Sequence, residues 1–351
     1  LDRIHFAETS AIQTSPLKPS TIKDVAREAG VSIKTVSRVI NGEPHVSARM
    51  REKVLASVEL LNFKINAAAR SLRSKLAKQL VVVLDNPSQS YTEAVQINAV
   101  LACQPFGFEL SLQGSADLDA LTIALENGML VGLVLTPPLS NDFELLDRLS
   151  EAGVPFVRVG AERGPEKFNE AGDKIGIDDR IAASEMTAHL IALGHRRIGF
   201  ITGAQSYDVA RRRLMGYYDG LERAGISRDP SLVVEGDFSY ASGLSCGETL
   251  MSQASRPTAI FASNDDMAAG CLASAYKLGL RVPDTLSVVG FDDAPFSRII
   301  YPALTTVHQS LNDMMEQAVT ILAARRSDPD APLRDVVIAH SLVKRESCAA
   351  P

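Results

Sequence analysis

Residues 21–41, TIKDVAREAGVSIKTVSRVIN, constrain this chain more than any other stretch. They read as two short helices joined by a tight turn. Thr21 followed by Asp24 is a start at which a hydroxyl and a carboxylate satisfy free backbone N–H groups. Val25, Ala26 and Ala29 share one helical face, and Gly30 supplies the permissive backbone of a sharp turn. Ser32 is placed to cap a second helix whose apolar face is Val36, Val39 and Ile40. That leaves Ile33, Lys34, Thr35, Ser37 and Arg38 facing outward. A plain helical pair with a solvated face would tolerate acids there, and this face has none. Ile33 suits a thymine methyl better than water. The pattern is a helix-turn-helix that presents groove-reading and phosphate-binding side chains near the start of its second helix.

Charge divides the chain in the same way. The net charge is −6, yet residues 16–78 hold thirteen Lys or Arg against five Asp or Glu, a net +8. Residues 1–15 carry −1, so the remainder carries −13. A basic head on an acidic body is the footprint of a modular DNA binder whose body does not adhere to DNA by itself.

Residues 1–19 show no periodicity and read as a disordered tail. After a loop at Asn41-Gly-Glu-Pro44, Ser47 is placed to cap a third helix over about 48–61. Val54, Leu55, Val58 and Leu61 are expected to face its core. His45 and Ser47 sit where the loop reaches phosphates, although Ser47 serves equally well as a cap alone. Residues 66–73, NAAARSLR, join head to body and are too short for a stable isolated helix. Leu72, between Arg70 and Arg73, suits an apolar wedge into a base step with basic groups on the flanking phosphates. The residues alone equally allow a linker whose Leu72 packs on the body.

From Gln79 the texture alternates between strand and helix. Apolar runs occur at Leu80–Leu84, Phe108–Leu112, Leu130–Thr136, Val154–Val159, Lys174–Ile177, Arg197–Thr202, Ser231–Val234, Thr258–Ala262 and Leu286–Phe291, with a late strand at Val336–Lys344. Amphipathic helices such as Ala182–Leu193 and Met267–Leu278 fit between them. This predicts doubly wound parallel sheets, and the strand count calls for two.

Thr-Ile-Lys-Asp-Val-Ala, Ala-Gly-Val-Ser and Thr-Val-Ser-Arg-Val-Ile-Asn-Gly, followed by His45-Val-Ser47, Arg51-Glu-Lys-Val54 and Leu61-Asn-Phe63, resemble the opening of the lactose-repressor (LacI/GalR) family of bacterial transcription regulators. The resemblance runs from about Ser20 to Glu346. It implies an all-α helix-turn-helix head (20–64), a hinge helix and linker (65–78), and a two-lobed α/β effector and dimerisation domain (79–346) like periplasmic sugar-binding proteins. Lobe one is expected over about 79–177 plus 310–326, and lobe two over about 178–306 plus 333–346. The chain is expected to cross between them near Ile177, near Val307 and at 327–334. The resemblance makes Leu72 the minor-groove wedge. The DNA-facing set is then Thr21, Ser32, Ile33, Lys34, Thr35, Ser37, Arg38, Asn41, His45, Ser47, Asn66, Ala69 and Leu72.

A cleft is expected at the carboxyl ends of the strands, where open α/β sheets bind ligands. Arg213, in Ala210-Arg-Arg-Arg-Leu-Met-Gly216, resembles the family's effector-binding Arg, with Arg211 or Arg212 as alternatives. Phe238 matches an aromatic that stacks on an effector ring, or is core. Asn264 offers a donor and an acceptor to a diol, or caps the helix after it. Asp292 is a carboxylate suited to paired hydroxyls, or stabilises its own loop. Gln309 follows a crossing, and Asn86 ends the first strand. Arg158 interrupts an apolar strand, as a further contact or in a buried ion pair. The set suits a sugar, and a purine would use the same aromatic.

No phosphate loop, Gly-x-Ser-x-Gly elbow or His-rich metal motif occurs, so an enzyme is not expected, a sugar-modifying enzyme fused to the head being the alternative of that class. Four scattered cysteines without metal spacing read as free thiols in a reducing cytoplasm. No cofactor, metal or membrane contact is expected, and the protein is placed in the cytoplasm with the nucleoid. The sequence is thus read as a repressor that binds pseudo-palindromic double-stranded operator DNA as a homodimer under control of a small, sugar-like effector. No leucine-repeat tail follows the late strand, which favours the dimer over a tetramer.

Overall fold

The computed structural model describes residues 21–40, 47–61, 78–161 and 171–351. The chain divides between residues 75 and 76 into two compact units. In the first, α1 (Ile22–Ala29), α2 (Ile33–Ile40) and α3 (Ala48–Leu60) pack around Val25, Ala26, Ala29, Val36, Val39 and Val54. The Thr21 backbone N–H and hydroxyl both donate to the Asp24 carboxylate, at 2.9 and 2.7 Å. Gly30 ends α1 at φ 64°, a left-handed turn that a Cβ would strain. The Thr35 N–H donates to Ser32 Oγ at 3.1 Å and the Met50 N–H to Ser47 Oγ at 3.4 Å, so both serines cap their helices.

Val58 and Leu61 turn toward this core with Val54, but Leu55 is 52% exposed, contrary to expectation. Residues 54, 58 and 61 follow the i, i+4, i+7 stripe of a helix, and residue 55 lies roughly 100° around from it.

The second unit carries two parallel sheets. Lobe one contains β1 (Gln79–Val83), α4 (Gln89–Cys103), β2 (Glu109–Gln113), α5 (Leu118–Glu126), β3 (Leu130–Leu135), α6 (Phe143–Glu151), β4 (Phe156–Val159) and β5 (Asp173–Gly176). Lobe two contains α7 (Asp179–Ala192), β6 (Ile198–Thr202), α8 (Asp208–Arg223), β7 (Val233–Glu235), α9 (Tyr240–Met251), β8 (Ala259–Ala262), α10 (Asp265–Lys277), β9 (Ser287–Val289) and β10 (Thr306–Gln309). The next helix, α11 (Leu311–Arg325), returns to lobe one and packs on α4, β3, β4 and β5. Then β11 (Asp335–Val337) closes the edge of the first sheet, and β12 (His340–Val343) pairs antiparallel with β10. The sheet orders are β11-β5-β4-β3-β1-β2 and β7-β6-β8-β9, and β10 extends the second along β9 through the bridges Val289–Thr305 and Asp292–His308. Inner strands such as β3 and β6 are buried along their length, as parallel strands covered on both faces must be.

Three expectations change here. The single late strand is two strands in two lobes. Residues 335–337 pair with β5 and Ile338 N–H still donates to Gly176 O at 2.8 Å, so 333–337 does not belong to lobe two. The third crossing accordingly falls at 338–339 and not at 327–334. The strand expected from Ser231 begins at Val233, because Pro230–Leu232 forms a 3-10 turn.

Lobe two is drawn tight through glycine. A Cβ on Gly243 of α9 would stand 2.2 Å from the Met267 carbonyl oxygen of α10. A Gly243→Ala change must push the two helices apart, and we expect a loss of about 1–3 kcal/mol in urea unfolding. A change below about 0.5 kcal/mol, the scale of surface substitutions, would show that the pair has slack.

Candidate ligand cleft and DNA-binding unit

Of the outward set on α2, Ile33 is 41% exposed, and Lys34 is exposed as well. Thr35 and Arg38 are half-buried, and the Thr35 hydroxyl bonds that of Ser32 at 2.9 Å. Thr21 is exposed at the start of α1. Ser37 lies on α2, but its side chain is outside the described residues, as are Asn41, His45, Asn66, Ala69 and Leu72.

In the second unit, Asn86, Arg213, Phe238, Asn264, Asp292 and Gln309 line one cavity between the lobes. Strand ends and helix starts of both sheets converge there. Arg213, on α8, is buried: its Nε donates to Asp179 Oδ1 at 2.8 Å, Nη1 donates to the Ser263 carbonyl and lies 3.6 Å from Asp292 Oδ1, and its guanidinium covers the Phe291 ring at 3.6 Å. Helical geometry settles which arginine of the triplet enters. Arg211, itself exposed, pairs with the buried Asp208, and Arg212 faces Asp178 at 3.5 Å.

Asn264 caps the helix after it, one of the two roles the sequence allowed, and its side chain also lines the cleft. Its Oδ1 accepts from Met267 N–H at 2.9 Å, capping α10, and its Nδ2 donates to the Phe238 carbonyl at 2.9 Å while it lines the cleft. Phe238 is likewise both core and wall, buried against Tyr207 at a 5.2 Å ring separation. Its φ is 70° and that of Asp292 is 113°. Positive φ in such residues is sparsely populated and concentrates where a site over-determines the backbone.

Asp292 is nearly closed from water and its carboxyl is pushed up to about 7. Burial is the main cause. The Asp266 and Asp179 carboxylates add to it, and the Arg213 guanidinium and the Gln309 amide, which donates at 2.6 Å, oppose it. Arg158 does not reach the cleft. Its guanidinium donates to the Ser140 and Ala171 carbonyls and to Asn141 Oδ1 on the flank of lobe one.

Ser88 and Tyr91 also line the cavity, and sequence reading passed over Asp179, which lines it too, and Asp266, which joins its two walls. Ser88 Oγ, Ser90 Oγ and Ser90 N–H, at the start of α4 in lobe one, all donate to Asp266 Oδ2 of lobe two, at 2.6, 2.9 and 3.3 Å. A carboxylate at a helix N-terminus is also favoured by the helix dipole. The Tyr207 hydroxyl adds a second tie, to Asp85 O at 3.2 Å. Between these walls the cavity volume is about 40 Å³, room for a few waters. A ring-sized ligand therefore enters only if the lobes part. The signal for Asp179 was present in the sequence: it is an acid beside Asp178, which already caps the helix.

Two outcomes follow. The folded chain protonates Asp292 below pH about 7, whereas an ordinary carboxyl does so only near 4. Its native state thus binds the extra proton, so the contribution of Asp292 to stability falls as pH rises from 4 to 7. Asp292→Asn should leave the melting temperature unchanged at pH 4 and raise it at pH 8, by roughly 2–4 °C per kcal/mol relieved. An equal shift at both pH values would refute the assignment. Asp266→Ala should remove on the order of 2 kcal/mol from lobe closure. Small-angle scattering would then report a larger second unit, and an unchanged profile would show that Asp266 does not hold the lobes.

Among the described residues no helix is long and apolar enough to cross a membrane, and no group of three His, Cys, Asp or Glu is placed to hold a metal ion. Residues 21–66 match the family described as bacterial regulatory proteins, lacI family, and residues 187–348 match the periplasmic binding protein-like domain. The HTH-type transcriptional repressor PurR of Haemophilus influenzae (strain PittEE) is 34% identical over 319 residues, 89% of this chain and 92% of its own. A complex of the transcriptional regulator CelR with cellobiose superposes with a TM-score of 0.68 at 31% identity, covering 93% of this chain and 99% of that one. The lac repressor dimer bound to operator and the anti-inducer ONPF gives 0.79 at 29%, covering 95% and 100%. Both halves of the molecule thus lead to one conclusion: the chain belongs to the lacI family of bacterial regulatory proteins and is a DNA-binding transcriptional repressor, not an enzyme.

Proposed function

We propose that this repressor is controlled by a sugar held between the lobes of its second unit. The observation that carries the reading is the cavity itself, which Arg213, Asp292, Asn264, Gln309 and Asn86 line together with Phe238. Paired hydroxyls meet the carboxylate and amide groups, and the flat face of a pyranose meets the aromatic. The similarity to a regulator solved with cellobiose supports it. A purine corepressor is the second reading, favoured by the similarity to PurR.

In this reading α2 enters the major groove, with Ile33 on a thymine methyl and Lys34, Thr35, Ser37 and Arg38 on base edges and phosphates. Thr21, Ser32 and Ser47, at helix starts, contact the phosphate backbone, and Asn41 and His45 add to those contacts. Asn66, Ala69 and Leu72 form the minor-groove hinge. Two copies of the chain read a pseudo-palindromic operator, as the dimeric lac repressor structure suggests by analogy. Sugar binding shifts the population of closed lobes and, reciprocally, operator affinity.

The test begins with an operator selected from random duplexes by the full chain, followed by titration of sugars and purines against the complex. Arg213→Ala should keep operator affinity within about threefold and need at least about tenfold more ligand to respond, the loss of a charged hydrogen bond. A variant that responds at the wild-type concentration would remove Arg213 from the site.

A further inference from the structure

The charges in the cleft limit what kind of sugar it takes, an inference that rests on the reading just given. Among the described residues lining the cavity, the charged ones are Asp179, Arg213 and Asp292, a formal excess of one negative charge. The single cation is already engaged: Arg213 is paired with Asp179, bonded to the Ser263 carbonyl and close to Asp292. Several acceptor oxygens of the lining keep capacity for a ligand. Asp179 gives Oδ1 to Arg213, and Asp292 gives Oδ1 to the Gln309 amide, so Oδ2 of each carboxylate and Oε1 of Gln309 remain open to a ligand. Asp266, holding the lobes together beside the cavity, adds more negative potential.

We propose that the cleft takes a sugar without an acidic group, neutral or amine-bearing, and rejects the phosphate or carboxylate form of the same sugar. Hydroxyl or ammonium hydrogens satisfy the open oxygens of Asp179, Asp292 and Gln309. A phosphate or carboxylate oxygen brings no donor to them. It would lie against the one uncompensated negative charge of the lining in a water-poor space, where like charges repel most strongly. Arg213 offers no net positive charge to offset this, because Asp179 neutralises it.

The experiment is calorimetric titration of the full-length chain at pH 7.5 with matched probes: cellobiose, glucose, glucosamine, glucose 6-phosphate, gluconate, ribose, ribose 5-phosphate and hypoxanthine. A neutral or amino sugar should bind, with its phosphate or acid at least about tenfold weaker. Asp179→Asn, which frees the Arg213 charge, should narrow that gap, and Asp292→Asn should do the same if the first variant fails to fold. Equal or tighter binding of a phosphate by the wild-type chain overturns the charge inference and leaves the sugar reading intact. Binding of hypoxanthine alone, or of no probe, overturns the sugar reading and this inference with it.

Discussion

A buried guanidinium must be paired, and the second unit is organised around that requirement. Arg213 is removed from water on a helix of lobe two, where an unpaired charge would be prohibitively unfavourable. Asp179, the Ser263 carbonyl, and Phe291 with its neighbour Asp292 meet it from three further segments of the chain. These segments come from the starts of α7 and α10 and the end of β9, so the arginine fixes where strand ends and helix starts meet. The backbone of Asp292 has positive φ, its N–H pairs with Val307 O, and its carboxylate lies 3.6 Å from Arg213 Nη1. The ligand cavity is the space this network leaves.

Closure rests on different residues. The three donors that converge on Asp266 come from the first turn of α4, and none of them is Arg213 or Asp292. Binding and closure are thus separate in the sequence but adjacent in space, since Ser88 both lines the cavity and holds Asp266. A ligand that touches both walls changes the balance between parted and joined lobes by its differential affinity for the two arrangements, and by no more than that. Three crossings, after β5, after β10 and between β11 and β12, join the lobes, so hinge motion about them is the low-energy path.

Much of this was legible in the sequence for physical reasons. The buried strands read as apolar runs, and the helix-turn-helix showed its caps, its glycine turn and its acid-free face. What stayed hidden were decisions made by tertiary partners. Val336–Lys344 is one continuous alternation, and only pairing reveals that its halves sit in different lobes. Arg211, Arg212 and Arg213 are chemically identical neighbours separated only by their angle around α8. Acidic doublets concealed most. Asp178 caps α7 while Asp179 holds Arg213. In the next pair, Asp265 bonds Thr306 and the Ala294 N–H while Asp266 joins the lobes. Asp292 faces the cleft while Asp293 binds Arg345, Arg298 and His308. Helix-start logic explains one acid only in the first pair; in the other two both acids are used by partners distant in the sequence.

The acid excess of the cleft is continuous with that of the whole body, −13 outside residues 1–78. A negative body is repelled by the phosphates that attract the +8 head, so non-specific affinity resides in the head alone. Control from the cleft therefore need not compete with a second DNA-binding surface: any change the body imposes on the head acts on a single set of phosphate contacts. The same surplus of carboxylates that keeps the body off DNA keeps anions out of the cleft, so one electrostatic bias serves two kinds of discrimination.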